Sequence, residues 1–192
     1  PLVLTLLALP AACQQPATAA EPVLRAPDAV RAAHEAPGLK TAIFAGGCYW
    51  GIEGLFSHIN GVTSAVSGFH GGDQRTARYD LVSEGNTGHA ESVRVTYDPA
   101  RVRYDQLLQV LFSVGADPTT LNRQGPDTGT QYRSAIVPLS EEQRLVATAY
   151  LAQLRASGLW RRPIVVRIER YRRFYPAAAD HQDFMARNPR HP

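Results

Sequence analysis

Two glycines, a cysteine, two aromatic residues and a third glycine stand together at Gly46-Gly47-Cys48-Tyr49-Trp50-Gly51. A cysteine in the first turn of a helix has its thiolate stabilised by unpaired backbone N–H groups and by the helix dipole, and glycines beside it let another molecule approach. Those are the requirements of a nucleophile. A free cysteine is also among the residues most often buried as a small hydrophobe, and the turn by itself leaves both readings of Cys48 open. Tyr49 and Trp50 form either a wall suited to an apolar methyl group or the first core turn of a helix.

A second reactive group is Glu91. Residues 89–98 alternate in polarity, which puts Glu91 on one face with Val93, Val95 and Tyr97. A carboxylate on an apolar face must be paired, protonated or functional. Burial would raise its pKa and let it serve as a general acid; an arginine would instead make it half of a buried ion pair. His89, just before it, has no second His or Cys at ligand spacing, so no metal is expected. Tyr79 and Tyr132 stand beside loops, and their hydroxyls can either donate to a substrate oxygen or be satisfied within the core. Asp127, in Gly125-Pro126-Asp127-Thr128-Gly129, has the composition of a turn.

The elements that must position these groups follow from periodicity. Residues 40–45 read as a buried strand ending at Gly46-Gly47, and Tyr49, Ile52, Leu55, Phe56 and Ile59 recur at helical spacing over 48–59. Cys48 therefore sits at a strand-to-helix turn. Further strands are predicted at 62–67, 89–98, 132–137 and 163–169. Helices are predicted at 104–112 and, after the capping box Ser140-Glu141-Glu142-Gln143, to about Gly158. Loops 68–88 and 117–129 are long for a compact domain, and such loops tend to carry function. Residues 174–192 read as irregular or a short helix, with His181 and Phe184 as anchors. Strands interleaved with helices, without nucleotide-binding glycine fingerprints, predict an α+β two-layer arrangement.

With 192 residues, 44% hydrophobic and 19% charged, one folded domain is expected over 39–192. Residues 1–19 read as an export segment and 20–38 as an Ala/Pro-rich linker, a tether or a loosely wrapped arm. Pro10-Ala11-Ala12-Cys13 resembles a lipoprotein acylation site, while Ala17-Thr18-Ala19 offers a competing cut that would discard Cys13. Both place the mature protein outside the cytoplasm, periplasmic or at the outer surface, and the first tethers it to a membrane through a lipidated Cys13. The net charge of +3 and the arginines at 161, 162, 167, 170, 172 and 173 come without a reading helix or stacking aromatics, so a solvated face is expected and no nucleic-acid partner.

Gly46-Gly47-Cys48-Tyr49-Trp50-Gly51 is similar to the Gly-Cys-Phe-Trp-Gly signature of methionine sulfoxide reductase A, with Tyr49 in the phenylalanine place. Thr87-Gly88-His89-Ala90-Glu91, Asn122-Arg123-Gln124-Gly125, Asp127-Thr128-Gly129-Thr130-Gln131-Tyr132-Arg133-Ser134 and His181-Gln182 match further blocks of that family in order. The resemblance implies a ferredoxin-like core with a mixed sheet and extended loops, no metal and no organic cofactor. It implies that Cys48 attacks the sulfoxide sulfur, Glu91 supplies a proton to its oxygen, and Tyr79 and Tyr132 hold that oxygen. Asp127 would order the site, Tyr49 and Trp50 would receive the methyl group, and Gly47 and His89 would lie against the substrate. The substrate would be methionine-S-sulfoxide, free or in proteins, and the protein a monomer.

Many relatives carry resolving cysteines after the nucleophile; none follows Cys48 here, and Ser83 stands where some relatives have one. A one-cysteine cycle is expected, in which an external thiol, thioredoxin, glutaredoxin or a small dithiol, regenerates Cys48. Two competing readings remain at this level: an acyl-transfer enzyme using His70, His89 or His181 as base, and an exported protein that binds methionine-rich ligands without turnover.

Overall fold

The computed structural model describes residues 24–190; the expected export segment and Cys13 lie outside the described residues. In chain order the elements are β1 (Lys40–Gly46), α1 (Tyr49–Ser57), β2 (Val62–His70), α2 (Tyr79–Val82), β3 (Ala90–Tyr97), α3 (Tyr104–Val110), β4 (Arg123–Gln124), β5 (Asp127–Thr128), β6 (Ser134–Val137), α4 (Glu141–Ala156), β7 (Arg167–Ile168), β8 (Phe174–Pro176) and α5 (Phe184–Arg187). Six strands form one mixed sheet in the order β7-β6-β1-β3-β2-β8. Within it, β3 is inserted antiparallel between β1 and β2, and β6 runs antiparallel along the other side of β1. This is the expected ferredoxin-like βαββαβ core. The β6-α4-β7 unit adds the one parallel pair, which needs a helical crossover to form.

The core follows from the alternation of the strands. Ala42 and Phe44 of β1 and Val93, Val95 and Tyr97 of β3 face the helices, where Ile52 and Phe56 of α1, Leu107 and Leu108 of α3, and Val146, Tyr150 and Leu154 of α4 meet them. Phe44 stacks on Phe56 and Tyr104 at 5.0 and 5.8 Å between ring centres. Ile43, on the opposite face of β1, packs with Val137 and Phe174. A run that is apolar at every position is what a central strand covered on both sides requires.

Three elements depart from the sequence expectation. The segment at 163–169 is a strand only at Arg167–Ile168, and Phe174–Pro176, expected to be irregular, pairs with Gly68–His70 of β2. That pairing depends on Gly68: a Cβ there would meet Phe174 Cζ and the Tyr175 carbonyl at 2.4 Å. Third, α3 ends in one π-helical turn, Leu111–Gly115, which carries Gly115 and Ala116 beneath β1 before loop 117–129 begins.

Of the two forms open to the segment before Leu39, its described part is a packed arm. Ala26 N–H donates to Ser113 Oγ at 3.0 Å, Ala33 N–H to Asp105 Oδ1 at 2.8 Å, and the Tyr150 and Tyr97 hydroxyls donate to Pro27 O and Glu35 Oε2. Ala26 is fully buried, so the folded body includes residues ahead of Leu39.

Helix α4 opens as predicted, with Ser140 Oγ accepting from Gln143 N–H at 3.1 Å. The reciprocal bond reaches one residue further back than a capping box, from Leu139 N–H to Gln143 Oε1 at 2.9 Å. Ser140→Ala should lower the unfolding free energy by about 1 kcal/mol. The readout is a lower urea midpoint with unchanged slope; an unchanged midpoint would mean that the Gln143–Leu139 bond alone closes the helix.

Candidate active site

The strand-to-helix turn is where the sequence placed it. Gly47 takes φ +95°, and a Cβ there would lie 2.5 Å from Gln124 Cβ, so only glycine allows both the turn and the close packing of loop 117–129. Gly47 thus seats that loop and offers no side chain to a substrate. Cys48 is the N-cap of α1 and partly exposed, at one end of an apolar groove of about 490 Å³ lined by Ile52, Leu55, Val114 and Met185. Among the described residues it is the only cysteine.

Glu91 lies on β3 directly across from Phe69 of β2, 2% exposed. Its Oε2 accepts the Tyr49 backbone N–H at 3.0 Å, which joins the first turn of α1 to the sheet. No cation pairs with it among the described residues, so the buried ion pair is not its explanation. Burial, reinforced by the charge of Asp127 and only partly offset by the Tyr49 N–H, lifts its pKa to about 7. Glu91 therefore holds a proton up to neutral pH.

The low thiol pKa expected of a helix N-terminus is not what this environment gives. Burial and the Glu91 charge push Cys48 up to about 11, and the backbone N–H groups of Trp50 and Gly51 offset only part of that. Each of the two groups takes on a negative charge with difficulty, and the charge of Glu91 is felt at the Cys48 thiol.

Asp127 pairs across from Gln124 in the β4-β5 hairpin. Gln124 ties the hairpin down, donating to Asp117 O and Ser134 Oγ at 2.8 Å each and accepting from Asp117 N–H. Asp127 is thereby near enough for its charge to raise both Glu91 and Cys48. Tyr132 closes a 3₁₀ turn, Thr130–Tyr132, that is bound to loop 83–85 by Thr130 Oγ–H to Gly85 O and Gln131 Nε2 to Ser83 O. Burial and the charges of Glu91 and Asp127 raise the Tyr132 hydroxyl to about 12, leaving it a hydrogen-bond donor. Tyr79 begins α2, 40% exposed, its ring 4.4 Å from that of His181. The structure thus gathers Cys48, Glu91, Asp127, Tyr79 and Tyr132 from five separate segments.

Tyr49 is buried and Trp50 half-buried, and both are organised by a residue read only as an anchor. His181 Nδ1 accepts from Trp50 Nε1–H at 3.2 Å, and the Tyr49 hydroxyl is 3.0 Å from the same nitrogen. Accepting there puts the neutral ring's proton on Nε2. Phe184 stacks on Trp50 at 3.7 Å with the planes 10° apart, covering one face of the indole.

His89, expected against the substrate, is fully buried, with Gly72 N–H donating to Nδ1 at 3.2 Å and Nε2 bonded to Asp73 O at 2.9 Å, so both ring nitrogens are bonded to the backbone that follows β2. Sequence reasoning also missed Arg133, which donates to the carbonyls of Gly88, His89 and Thr130 and pairs with Glu169 at 2.7 Å. Although burial works against it, the nearby His70 ring, 3.7 Å away, and the hydrogen bonds of Arg133 hold Glu169 down at about 2. Among the described residues no group of three or more His, Cys, Asp or Glu is placed to hold a metal ion.

The family model for peptide methionine sulfoxide reductase matches residues 40–192. The chain is 55% identical to peptide methionine sulfoxide reductase MsrA 2 of Mesorhizobium japonicum, over 82% of this chain and 80% of that protein. It is 50% identical to MsrA 2 of Synechocystis sp., over 82% and 73%. Among solved structures it is similar to methionine sulfoxide reductase A of Corynebacterium diphtheriae, with a TM-score of 0.68, 36% identity, and 82% of this chain and 78% of that chain covered. Reduced Mxr1 of Saccharomyces cerevisiae gives a TM-score of 0.74 at 30% identity, over 80% and 88%.

Glu91 has a consequence for stability. Its folded pKa of about 7 lies above the ordinary 4.5, so the folded state bears no cost from this group below about pH 4.5, loses stability as pH rises towards 7, and carries the full cost above it. Glu91→Gln keeps the acceptor for Tyr49 N–H and removes the titration. At pH 8 it should be more stable than wild type by on the order of 3 kcal/mol, with the gap closing at pH 4. A gap that does not change with pH would show that Glu91 is not buried as a neutral acid.

Proposed function

Since the chain belongs to the peptide methionine sulfoxide reductase family, we propose that it reduces the S-epimer of methionine sulfoxide, free or in proteins, through Cys48 and Glu91. The observation that carries this reading is the buried, proton-holding Glu91, tied by Tyr49 N–H to the turn that bears the thiol.

A sulfoxide sulfur carries partial positive charge and its oxygen negative charge. With the oxygen directed at Glu91 and the Tyr79 and Tyr132 hydroxyls, the sulfur faces Cys48 and the methyl group faces the Tyr49–Trp50 wall. Resting Cys48 thiol and ionised Glu91 hold one proton between them; moving it from sulfur to carboxylate gives the reactive form without gain or loss of a proton. The substrate dipole favours that transfer, because it sets positive charge against the thiolate and negative charge against the acid. Glu91 then protonates the oxygen as the thiolate attacks, forming an S–S bond at sulfur. Collapse transfers the hydroxyl to Cys48, releasing methionine and leaving a sulfenic acid. One external thiol displaces water from it to form a mixed disulfide, and a second thiol frees Cys48. A thioredoxin-like or glutaredoxin-like protein or a small dithiol fits this role.

Incubated with each epimer separately and without reductant, the purified protein should yield about one methionine per chain from the S-epimer and none from the R-epimer. Mass spectrometry should then find one oxygen on Cys48. Methionine accompanied by an intramolecular disulfide would overturn the one-cysteine cycle, and no methionine from either epimer would overturn the assignment.

The pH dependence follows from the pair. Below about pH 7 both groups are protonated and one proton must leave before attack, so kcat/KM, which reports the free enzyme, should rise through about 7 and then level off. Glu91→Gln should lose that limb and lower kcat/KM by roughly 10²-fold or more. A rate that falls as pH rises through 7 would contradict the shared-proton step.

A further inference from the structure

We propose that Glu53 is a positioning residue: it latches the C-terminal segment so that His181 and Phe184 complete the aromatic wall around the substrate's methyl group. The proposal rests on reading Tyr49 and Trp50 as that wall.

Glu53 lies one turn after Tyr49 on α1 and is 2% exposed. Among the described residues no cation pairs with it. A buried carboxyl group without a counter-charge costs stability that an apolar residue of similar size would not. What it contributes is geometry. Its Oε2 accepts the Ser67 hydroxyl at 2.9 Å and the Asp183 backbone N–H at 3.1 Å, linking α1, β2 and the C-terminal segment at one oxygen.

Asp183 stands at φ +51°, one of two non-glycine residues in the left-handed region among the described residues. Such a conformation persists only where the surroundings over-determine it. On one side of Asp183, Gln182 grips the backbone of Ser67, accepting from its N–H at 2.9 Å and donating to its carbonyl at 3.0 Å. On the other, Phe184 lies flat on Trp50. Ser67 is therefore held through its hydroxyl by Glu53 and through its main chain by Gln182. The left-handed residue between Gln182 and Phe184 turns the chain back onto α1. Releasing the Asp183 N–H would let that turn relax, and Phe184 and His181 would no longer be fixed against Trp50 and Tyr49. Burial raises the Glu53 pKa, and the hydrogen bonds from Asp183 and Ser67 offset part of that rise.

The test uses a Trp160→Phe background, in which Trp50 is the only tryptophan. Glu53→Ala should raise KM for the S-sulfoxide about tenfold, the scale of a lost apolar pocket contact, with kcat within about twofold, and should shift Trp50 emission to the red. Glu53→Gln, whose amide oxygen can accept both bonds, should stay within about twofold on every readout. Because Glu53 acts through Phe184, adding Glu53→Ala to Phe184→Ala should change KM by less than about twofold beyond Phe184→Ala alone. If Glu53→Ala does not fold, Glu53→Leu, which keeps the bulk of the side chain but accepts no hydrogen bond, carries the same expectation. Wild-type KM and emission in Glu53→Ala or Glu53→Leu, a Glu53→Gln as impaired as Glu53→Ala, or independent multiplication with Phe184→Ala would each overturn the latch. Trp50 emission reports on the latch without turnover, so a wild-type protein that reduces neither epimer would fail the functional reading and leave this test standing.

Discussion

The bond from Tyr49 N–H to Glu91 Oε2 joins the turn that bears Cys48, the only cysteine among the described residues, to the middle of the sheet. Glu91 can be there because β3 is an interior strand, flanked by β1 and β2 and covered by helices, so the carboxyl group is almost wholly shielded from water. Everything else about the site answers that burial. The acid keeps its proton to neutral pH, and the thiol beside it is discouraged from ionising.

A buried acid is useful only if the groups around it hold still, and the chain achieves this with polar side chains spent on backbone. His89 fastens loop 68–88, Arg133 gathers the carbonyls of 88, 89 and 130, and Gln124 closes loop 117–129 onto Gly47. The first loop carries Tyr79, the second carries Asp127, and the 3₁₀ turn Thr130–Tyr132, which runs directly into Arg133, carries Tyr132. A long loop with its carbonyls taken up by buried donors is as well placed as a helix, which is why three such segments can converge on one thiol.

Most of the framework was legible in the sequence. The apolar run before Gly46, the helical spacing from Tyr49, and the alternation that set Glu91 beside Val93 are local patterns with one physical reading each. Strands of two or three residues were not legible. Phe174–Pro176 pairs only because Gly68 leaves room for it, a contact between distant stretches of chain that no local pattern announces. His89 was misread for a related reason: a histidine in a conspicuous block looks functional until its two nitrogens are seen to be bonded to backbone.

By itself the sequence singled out Cys48 and Glu91 as candidates and the family whose motifs they resemble, because residue type, spacing and periodicity fix which groups share a turn or a face. Only the tertiary structure decided how those groups behave. The thiol's resistance to ionisation, the acid's retained proton, and the roles of His181, Phe184 and Glu53 all depend on burial and on hydrogen bonds between segments far apart in the chain. Desolvation and charge proximity are properties of assembled space, and a linear order of residues does not contain them.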